Sequence, residues 1–226
     1  MPSKGASRIQ RQSRLARLLH GVNAVTLLIL VATGLALGDR LATPIVAAMG
    51  GHMTVNSLHR LLGLVFAVAA VLAIAAFHSQ ARSLVRDLAH FRLRELSWPV
   101  TFLRQLLSPS KHPEVFHAGR FDPVERAVLM LLLCATAVVS ISGVYLYFLP
   151  NAPRWVMLFA IRTHIYGAWT IIGASGLHLL AGSGILPSHR GIFRTMFGDG
   201  TLPVATAERL WPDWTRKNLE HGHKSD

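Results

Sequence analysis

Four long apolar runs alternate with shorter polar segments along this chain of 226 residues. The runs predict membrane spans at about residues 16–38, 56–78, 124–149 and 160–186. About 20 apolar residues of helix cross the roughly 30 Å hydrocarbon core of a bilayer. Only helices and closed barrels satisfy their backbone hydrogen bonds in lipid, and continuous runs favour helices over alternating strands. The pattern therefore predicts an all-α fold, an integral membrane four-helix bundle.

Basic residues are concentrated in three segments outside the apolar runs: a lead at 1–14, a loop at 79–123 and a tail at 191–226. Positively charged segments that flank membrane spans stay in the cytoplasm. Four crossings place both termini there, with a four-helix domain at 15–190. We expect a multi-pass protein of the bacterial cytoplasmic (inner) membrane.

The middle loop and the lead each have a second interpretation. Within the loop, His90–Leu107 predicts a helix that lies at the membrane interface, followed by a turn near Ser108–Pro113. The lead and the first apolar run resemble a signal peptide, but the run is long for that purpose. We expect this run to be retained as the first membrane span and not to be cleaved.

The composition excludes several classes of function. The net charge is +12, but the basic residues flank apolar runs and no nucleic-acid-binding module is recognisable. Only 15% of residues are charged, against about 25% in a typical soluble domain. Cys134 is the single cysteine, which rules out an intrachain disulfide, a cysteine-pair zinc site and covalent c-type haem attachment. Any haem would be non-covalent and therefore b-type.

Four histidines lie within or at the edge of the apolar runs: His20, His59, His164 and His178. Ionisable residues inside a membrane are costly and usually functional. His164 and His178 are 14 residues apart. That spacing puts both on one helical face, about 21 Å apart along the axis at about 1.5 Å per residue. One helix can therefore present two imidazoles at different depths, as two haems stacked across a bilayer would need.

The predicted topology pairs these histidines by depth. His59 and His164 belong near the outer face, whereas His20 and His178 belong near the cytoplasmic face. Two neutral imidazoles form a six-coordinate, electron-transferring haem iron, and helical bundles build such sites from facing helices. Small residues beside the ligands would let the flat macrocycle approach, namely Gly21, Gly34, Gly63, Gly167, Gly173 and Gly176.

A single histidine near an interface is more often a snorkelling polar residue than a ligand, and only the pairing of four favours haem. His78 is interpreted as interfacial, with a quinone pocket or replacement of His20 as alternatives. The remaining histidines are expected to be solvated: His52, His90, His112, His117, His189, His221 and His223.

Short motifs over nearly the whole chain resemble the gamma subunit of respiratory formate dehydrogenase, a two-haem membrane cytochrome b. The wider group includes the cytochrome b subunits of nickel–iron hydrogenase and thiosulfate reductase. The most specific features are the 39-residue gap from His20 to His59 and the 14-residue gap on the fourth run. The supporting motifs are Arg17-Leu-Leu-His20, Thr33-Gly34, His59-Arg60-Leu-Leu-Gly63, Gly119-Arg120-Phe121-Asp122-Pro123 and the tail residues Gly200-Thr-Leu202, Ala207 and Trp214.

The resemblance implies two b haems, one between the second and fourth helices and one between the first and fourth. Electrons would arrive from an iron–sulfur beta subunit and reduce quinone, menaquinone or ubiquinone, near the inner haem. A separate molybdenum- or tungsten-containing subunit would oxidise formate. This chain would then be a membrane anchor and electron-transfer subunit without a complete substrate site of its own.

Further residues could serve these cofactors. Arg17, Arg60 and Arg162 could pair with haem propionates, although topology alone would also place arginines there. Where the family usually reads Asn-x-Gly-Gln at a region that helps form the quinone site, this chain has Asp122, Val124 and Glu125. The two acids could contribute to a quinone site or relay protons. Alternatively they simply begin a helix, with Pro123 at its first position. In the tail, Leu210 and Trp211 replace a His-His pair.

Two other functions remain open. The haems could serve a different partner, such as a hydrogenase, a thiosulfate reductase or another quinone-linked oxidoreductase. Alternatively, a haem-free transport or assembly protein could use the histidines to relay protons or bind metal.

Overall fold

A computed structural model describes residues 7–89, 100, 120–149, 151–185 and 189–222. The predicted interfacial helix His90–Leu107, apart from helical Val100, and the predicted turn Ser108–Pro113 lie outside the described residues. The secondary-structure elements of the described ranges are β1 (Arg8–Gln10), α1 (Arg14–Leu37), α2 (Thr43–Ala48), α3 (Gly51–Ala76), α4 (His78–Ala89), α5 (Pro123–Phe148), α6 (Arg154–Gly182), α7 (Phe193–Phe197), β2 (Thr201–Pro203), α8 (Val204–Leu210) and α9 (Pro212–Gly222).

Four of these helices, α1, α3, α5 and α6, are long and apolar enough to cross a membrane. Between 6% and 17% of the most apolar window of each helix is buried inside the protein. Most apolar side chains of these helices are therefore at least partly exposed. That exposure would be unfavourable in water but suits a bilayer, because lipid solvates apolar side chains. The predicted all-α class with four membrane-spanning helices is confirmed.

Turn and capping residues set where the spans begin and end. Gly50, at the N-cap of α3, has φ 92°, a left-handed conformation that suits glycine. Pro123 occupies the first position of α5, where its missing N–H costs nothing. At the other end of α3, Phe77 interrupts the helix and His78 begins the separate amphipathic helix α4. His78 is exposed, consistent with its interfacial interpretation.

The described chain contains two compact units. The spans α1, α5 and α6 contribute residues to both, whereas α3 lies within one of them. One unit comprises residues 22–82 and 131–175. Its small hydrophobic core joins Ala36 of α1, Val46 of α2 and Val55 of α3. Close backbone approach marks its helix contacts, because a Cβ added to Gly167 of α6 would lie 2.6 Å from Val139 of α5. Small residues allow such close packing in membranes, where interhelical contacts are not driven by the hydrophobic effect.

The other unit comprises residues 1–21, 83–130 and 176–226. Here β1 pairs antiparallel with β2, with Ile9 opposite Leu202. Leu202, Ala207 of α8 and Trp211 form a buried core with Ile9 packed against it. This pairing between the N-terminal lead and the tail was not predicted, because strands of only three residues have no recognisable sequence pattern.

A buried arginine fastens the lead to the tail in this unit. Arg11 is 7% exposed, and its guanidinium lies 4.0 Å from the ring centroid of Trp211 and 4.3 Å from that of Trp214. Such cation–π contacts strengthen when the pair is desolvated. Desolvation lowers the pKa of Arg11 to about 10, while the nearby Glu125 carboxylate opposes that shift. The arginine remains charged at neutral pH and needs these partners.

Substitution of Gly200 tests how much the close packing beside the β1–β2 sheet contributes to the stability of this unit. It has φ +83°, and an added Cβ would lie 2.5 Å from the Gln12 carbonyl oxygen. Gly191→Ala is the matched control, because Gly191 has φ +90° but no atom within 4 Å of an added Cβ. Both variants incur a left-handed backbone penalty of about 1–2 kcal/mol. Gly200→Ala should destabilise by about 1–3 kcal/mol more, through overpacking.

Thermal unfolding of the detergent-purified chain, followed by tryptophan fluorescence, measures this difference. Trp211 and Trp214 lie in the affected unit and contribute to the signal. Equal melting temperatures for the two variants would show that the close contact at Gly200 has no energetic weight.

Candidate functional site

Two of the four predicted histidines meet inside the unit formed by residues 22–82 and 131–175. His59 projects from α3 and His164 from α6, and their ring centroids lie 6.2 Å apart. The planes of the two rings are inclined by 81°. Both rings are half-buried, so each is partly removed from the surrounding medium.

This separation fits a metal ion bound between the rings. A metal–imidazole nitrogen bond is about 2 Å long, and each ring nitrogen lies roughly 1 Å from its centroid. Two imidazoles on opposite sides of one metal ion therefore have centroids about 6 Å apart. The geometry suits two axial ligands of a haem iron, which is the arrangement of six-coordinate electron-transfer haems.

The remaining nitrogen of His59 has a partner on α1. The Thr33 hydroxyl lies 2.9 Å from His59 Nδ1 and 2.8 Å from the Ile29 carbonyl oxygen. A hydroxyl has a single hydrogen, which the Ile29 carbonyl can accept, so the same oxygen is available to accept from Nδ1–H. This assignment leaves Nε2 of His59 with the lone pair that a metal requires.

His164 has an equivalent environment on α5. Its Nδ1 lies 3.1 Å from both the Ser142 hydroxyl and the Val139 carbonyl oxygen. The carbonyl can only accept, so Nδ1 of His164 carries the hydrogen. The Ser142 hydroxyl in turn donates to the Val138 carbonyl at 2.7 Å. Nε2 of His164 is thus also free to bind a metal.

A glycine follows each supporting hydroxyl residue and lies against the imidazole. A Cβ added to Gly34 would be 3.4 Å from Cε1 of His59, and one added to Gly143 would be 3.1 Å from Cε1 of His164. The equivalent arrangements on α1 and α5 are therefore Thr33-Gly34 and Ser142-Gly143. In each pair, the hydroxyl residue offers a hydrogen-bond acceptor to the imidazole, and the glycine leaves room for the edge of the ring.

The other two histidines meet in the unit that contains the lead and the tail. His20 of α1 and His178 of α6 have ring centroids 6.2 Å apart, with planes inclined by 63°. The separation equals that of the first pair and satisfies the same two-ligand geometry. Phe197 of α7 packs edge-on against His20, with centroids 5.7 Å apart. A tail residue therefore covers one side of this pair.

The three candidate propionate partners lie in different surroundings. Arg60 is exposed and stacks over Tyr147 at 4.9 Å from the ring centroid. Arg17 is half-buried and donates through Nη1 to the Gly198 carbonyl. Arg162 is exposed. Their pairing with propionates stays a prediction.

The two acids at the start of α5 make the hydrogen bonds of a capping box. The Asp122 carboxylate accepts from the Glu125 backbone N–H at 2.8 Å. The Glu125 carboxylate accepts from the backbone of Asp122 and from the Trp211 side chain, and it lies near the charge of Arg11. This reciprocal pattern supplies partners for otherwise unsatisfied N–H groups at a helix start. The quinone role of the two acids stays a prediction.

His189 departs from its expected surroundings. The sequence predicts a solvated side chain, whereas the structure places His189 half-buried near Asp122 and Arg209. Desolvation lowers the pKa of His189, with Asp122 opposing the shift and Arg209 reinforcing it. Its neutral form is therefore favoured in the folded unit. His52, by contrast, is exposed, as expected.

The family model described as prokaryotic cytochrome b561 matches residues 11–199. The chain belongs to this family. Cytochrome b561 proteins are membrane proteins that bind haem b, so this chain is a multi-pass membrane cytochrome b. No curated protein matches it in sequence.

Membership of the cytochrome b561 family gives the histidine pairs a chemical context. All four histidines, and both hydroxyl-glycine pairs, lie within the matched range. The family's b-type haem agrees with the single cysteine, which precludes two thioether attachments. The haem-free transport alternative is disfavoured.

Sequence reasoning missed three residues around the cytochrome's histidines: Ser142, Gly143 and Phe197. The Ser142-Gly143 pair has the same form as Thr33-Gly34, which the sequence analysis did single out. That similarity could have identified the Ser142-Gly143 pair from the sequence. Phe197 offered none, because only the folded tail brings it to His20.

Gly143→Ala tests whether the His164 ring is held for haem. The added Cβ, at 3.1 Å from the ring, must displace it, whereas Ala itself favours the helix by about 1 kcal/mol over Gly. We expect a lower haem-to-polypeptide ratio or altered ferric-haem electron paramagnetic resonance, without loss of folded protein. Gly182→Ala at the end of α6 is the control, because nothing lies within 4 Å of its added Cβ and it is not one of the glycines expected to face a haem. Identical spectra for the two variants would contradict the assignment of His164.

Proposed function

We propose that this cytochrome b561 chain binds two b haems and passes electrons through them to quinone. One haem lies between His59 and His164, and the other between His20 and His178. The observation that carries the proposal is the repeated geometry, because both pairs bring imidazole centroids to 6.2 Å. Two histidines could approach one another by chance in one place. Two pairs with the same separation favour the same role for both, which is ligation of a haem iron.

The chain's own residues bind and orient the cofactors, while the haem supplies the one-electron chemistry. Neutral imidazoles are required as ligands, since a protonated ring nitrogen has no lone pair to donate. The hydrogen bonds that Nδ1–H of His59 and His164 donates favour the tautomer whose Nε2 can bind a metal. Lipid-facing apolar side chains on the four spans keep the site within the membrane.

Topology sets the direction of transfer in this proposal. The basic lead, loop and tail favour the cytoplasmic side of the inner membrane. His59 and His164 would then hold the haem that accepts electrons at the outer side, and His20 and His178 would hold the haem that reduces menaquinone or ubiquinone at the inner side. Since Asp122 and Glu125 belong to the same unit as the inner pair, they are the acidic groups proposed to serve the quinone.

We further propose a formate-dehydrogenase-type complex as the source of electrons. Support comes from the resemblance of the histidine spacing and short motifs to the gamma subunit of that enzyme. The proposed partners are an iron–sulfur beta subunit and a molybdenum- or tungsten-containing catalytic subunit. Hydrogenase and thiosulfate reductase complexes are the alternatives within the same redox class, and subunits that co-purify in mild detergent distinguish them.

The haem-to-polypeptide ratio of the purified chain tests the cofactor assignment. Pyridine haemochrome quantification should give two b haems for the unaltered chain. His59→Ala and His164→Ala should each leave one haem with the same spectrum, because the two side chains serve one iron. His178→Ala should leave the other haem. His52→Ala is the control, since this exposed histidine at the start of α3 belongs to neither pair.

Different outcomes separate the parts of the proposal. Two haems retained in His178→Ala or His59→Ala would refute the pairing. Different spectra for His59→Ala and His164→Ala would place these residues on different irons. Colourless protein from cells with ample iron and porphyrin precursor would refute haem binding altogether.

A further inference from the structure

We infer that Thr33 and Ser142 are positioning residues that set the reduction potential of the haem between His59 and His164 below that of the other haem. The inference rests on the proposed function, since it presupposes both haems. It concerns the hydroxyl groups behind the ligands, which do not contact the iron position and to which the resemblance assigns no role.

The two hydroxyls share one geometry. Each belongs to a residue in the C-terminal part of its span and donates its hydrogen to a carbonyl four residues earlier, Ile29 for Thr33 and Val138 for Ser142. Their side chains are buried, at 1% and 6% exposure. Water therefore cannot easily replace either oxygen as the partner of an imidazole N–H.

A second acceptor lies beside each hydroxyl. The Val139 carbonyl is 3.1 Å from both the Ser142 hydroxyl and His164 Nδ1. The Leu30 carbonyl is 3.1 Å from the Thr33 hydroxyl and interacts with His59. In each case the carbonyl belongs to the residue three positions before the hydroxyl. Two helices thus present the same pair of acceptors, one to each ring.

Acceptors at Nδ1 act on the iron through the ring. A hydrogen bond from Nδ1–H moves electron density toward Nε2 and raises the basicity of the ligand. A more basic ligand stabilises the ferric form over the ferrous form, and hydrogen bonding around the ligands is an established lever on haem potentials. Two such ligands on one iron act in the same direction and lower its potential.

The inner pair differs in this respect. Within the described residues, neither His20 nor His178 has a hydrogen bond from its ring to a hydroxyl or carbonyl. The neighbour seen at His20 is the aromatic ring of Phe197, which offers no oxygen acceptor. The described residues therefore give the ferric form of the inner haem less stabilisation than that of the outer haem. A lower potential outside than inside drives electrons inward.

Potentiometric titration of the detergent-purified chain tests the inference. The wave of the outer haem is the one that disappears in His59→Ala. Thr33→Val keeps the side-chain shape but removes the oxygen, and should move this wave upward while leaving the other wave in place. A tenfold loss of preference for the ferric form corresponds to about 59 mV for a one-electron couple.

Matched variants separate positioning from packing. Thr33→Ser retains the hydroxyl and should restore the original potential. Thr170→Val removes a hydroxyl that donates to the Tyr166 carbonyl at 2.9 Å, the same type of helix bond, without a hydrogen bond to histidine in the described part of the chain. It should leave both waves unchanged. Ser142→Ala provides a second, independent test and should also raise only the outer wave.

The results distinguish this inference from the proposed function. Two haems with an outer wave that does not rise in Thr33→Val or Ser142→Ala would overturn the inference and leave the ligand assignment intact. Equal movement of both waves, or the same shift in Thr33→Ser, would also overturn it, because a general packing defect would then be the cause. Absence of haem from the unaltered chain would defeat the proposed function, and the inference with it.

Discussion

The need of a buried imidazole for a partner on each nitrogen organises the core of this cytochrome b561 protein. In a membrane, an unsatisfied ring nitrogen has no water to bind and costs free energy. Thr33 and Ser142 face Nδ1 of His59 and His164, and the opposing rings leave the space that a metal centre would fill. The helices must therefore keep both a close backbone approach and a fixed rotation about their axes.

Glycine makes that approach possible at three places. Gly34 and Gly143 lie against the edges of the two rings, and Gly167 lies where α6 meets Val139 of α5. In lipid, close packing and interhelical hydrogen bonds replace the hydrophobic effect as the source of helix association. The same contacts that hold the helices together thus determine where the ligands are.

The second histidine pair depends on a different kind of support. His20 and His178 share a unit with the paired strands β1 and β2 and with Phe197, which covers His20. Arg11 holds this unit together through Trp211 and Trp214. A charged side chain packed among aromatic rings is stabilised by cation–π contacts in a desolvated setting. The segments before and after the spans therefore belong to the same unit as the second histidine pair and support it.

The four spans and their helical type follow from the residue pattern, because long apolar runs in lipid have few structural alternatives. The same pattern predicted which histidines meet, since helical periodicity and depth are local properties. The groups that face Nδ1 of each ring, the cover of Phe197 over His20 and the pairing of β1 with β2 became visible only in the folded chain. Those contacts join residues such as Ser142 and His164, or Arg8 and Pro203, that are distant along the chain. Their meeting depends on helix rotation and chain return, which no local pattern encodes.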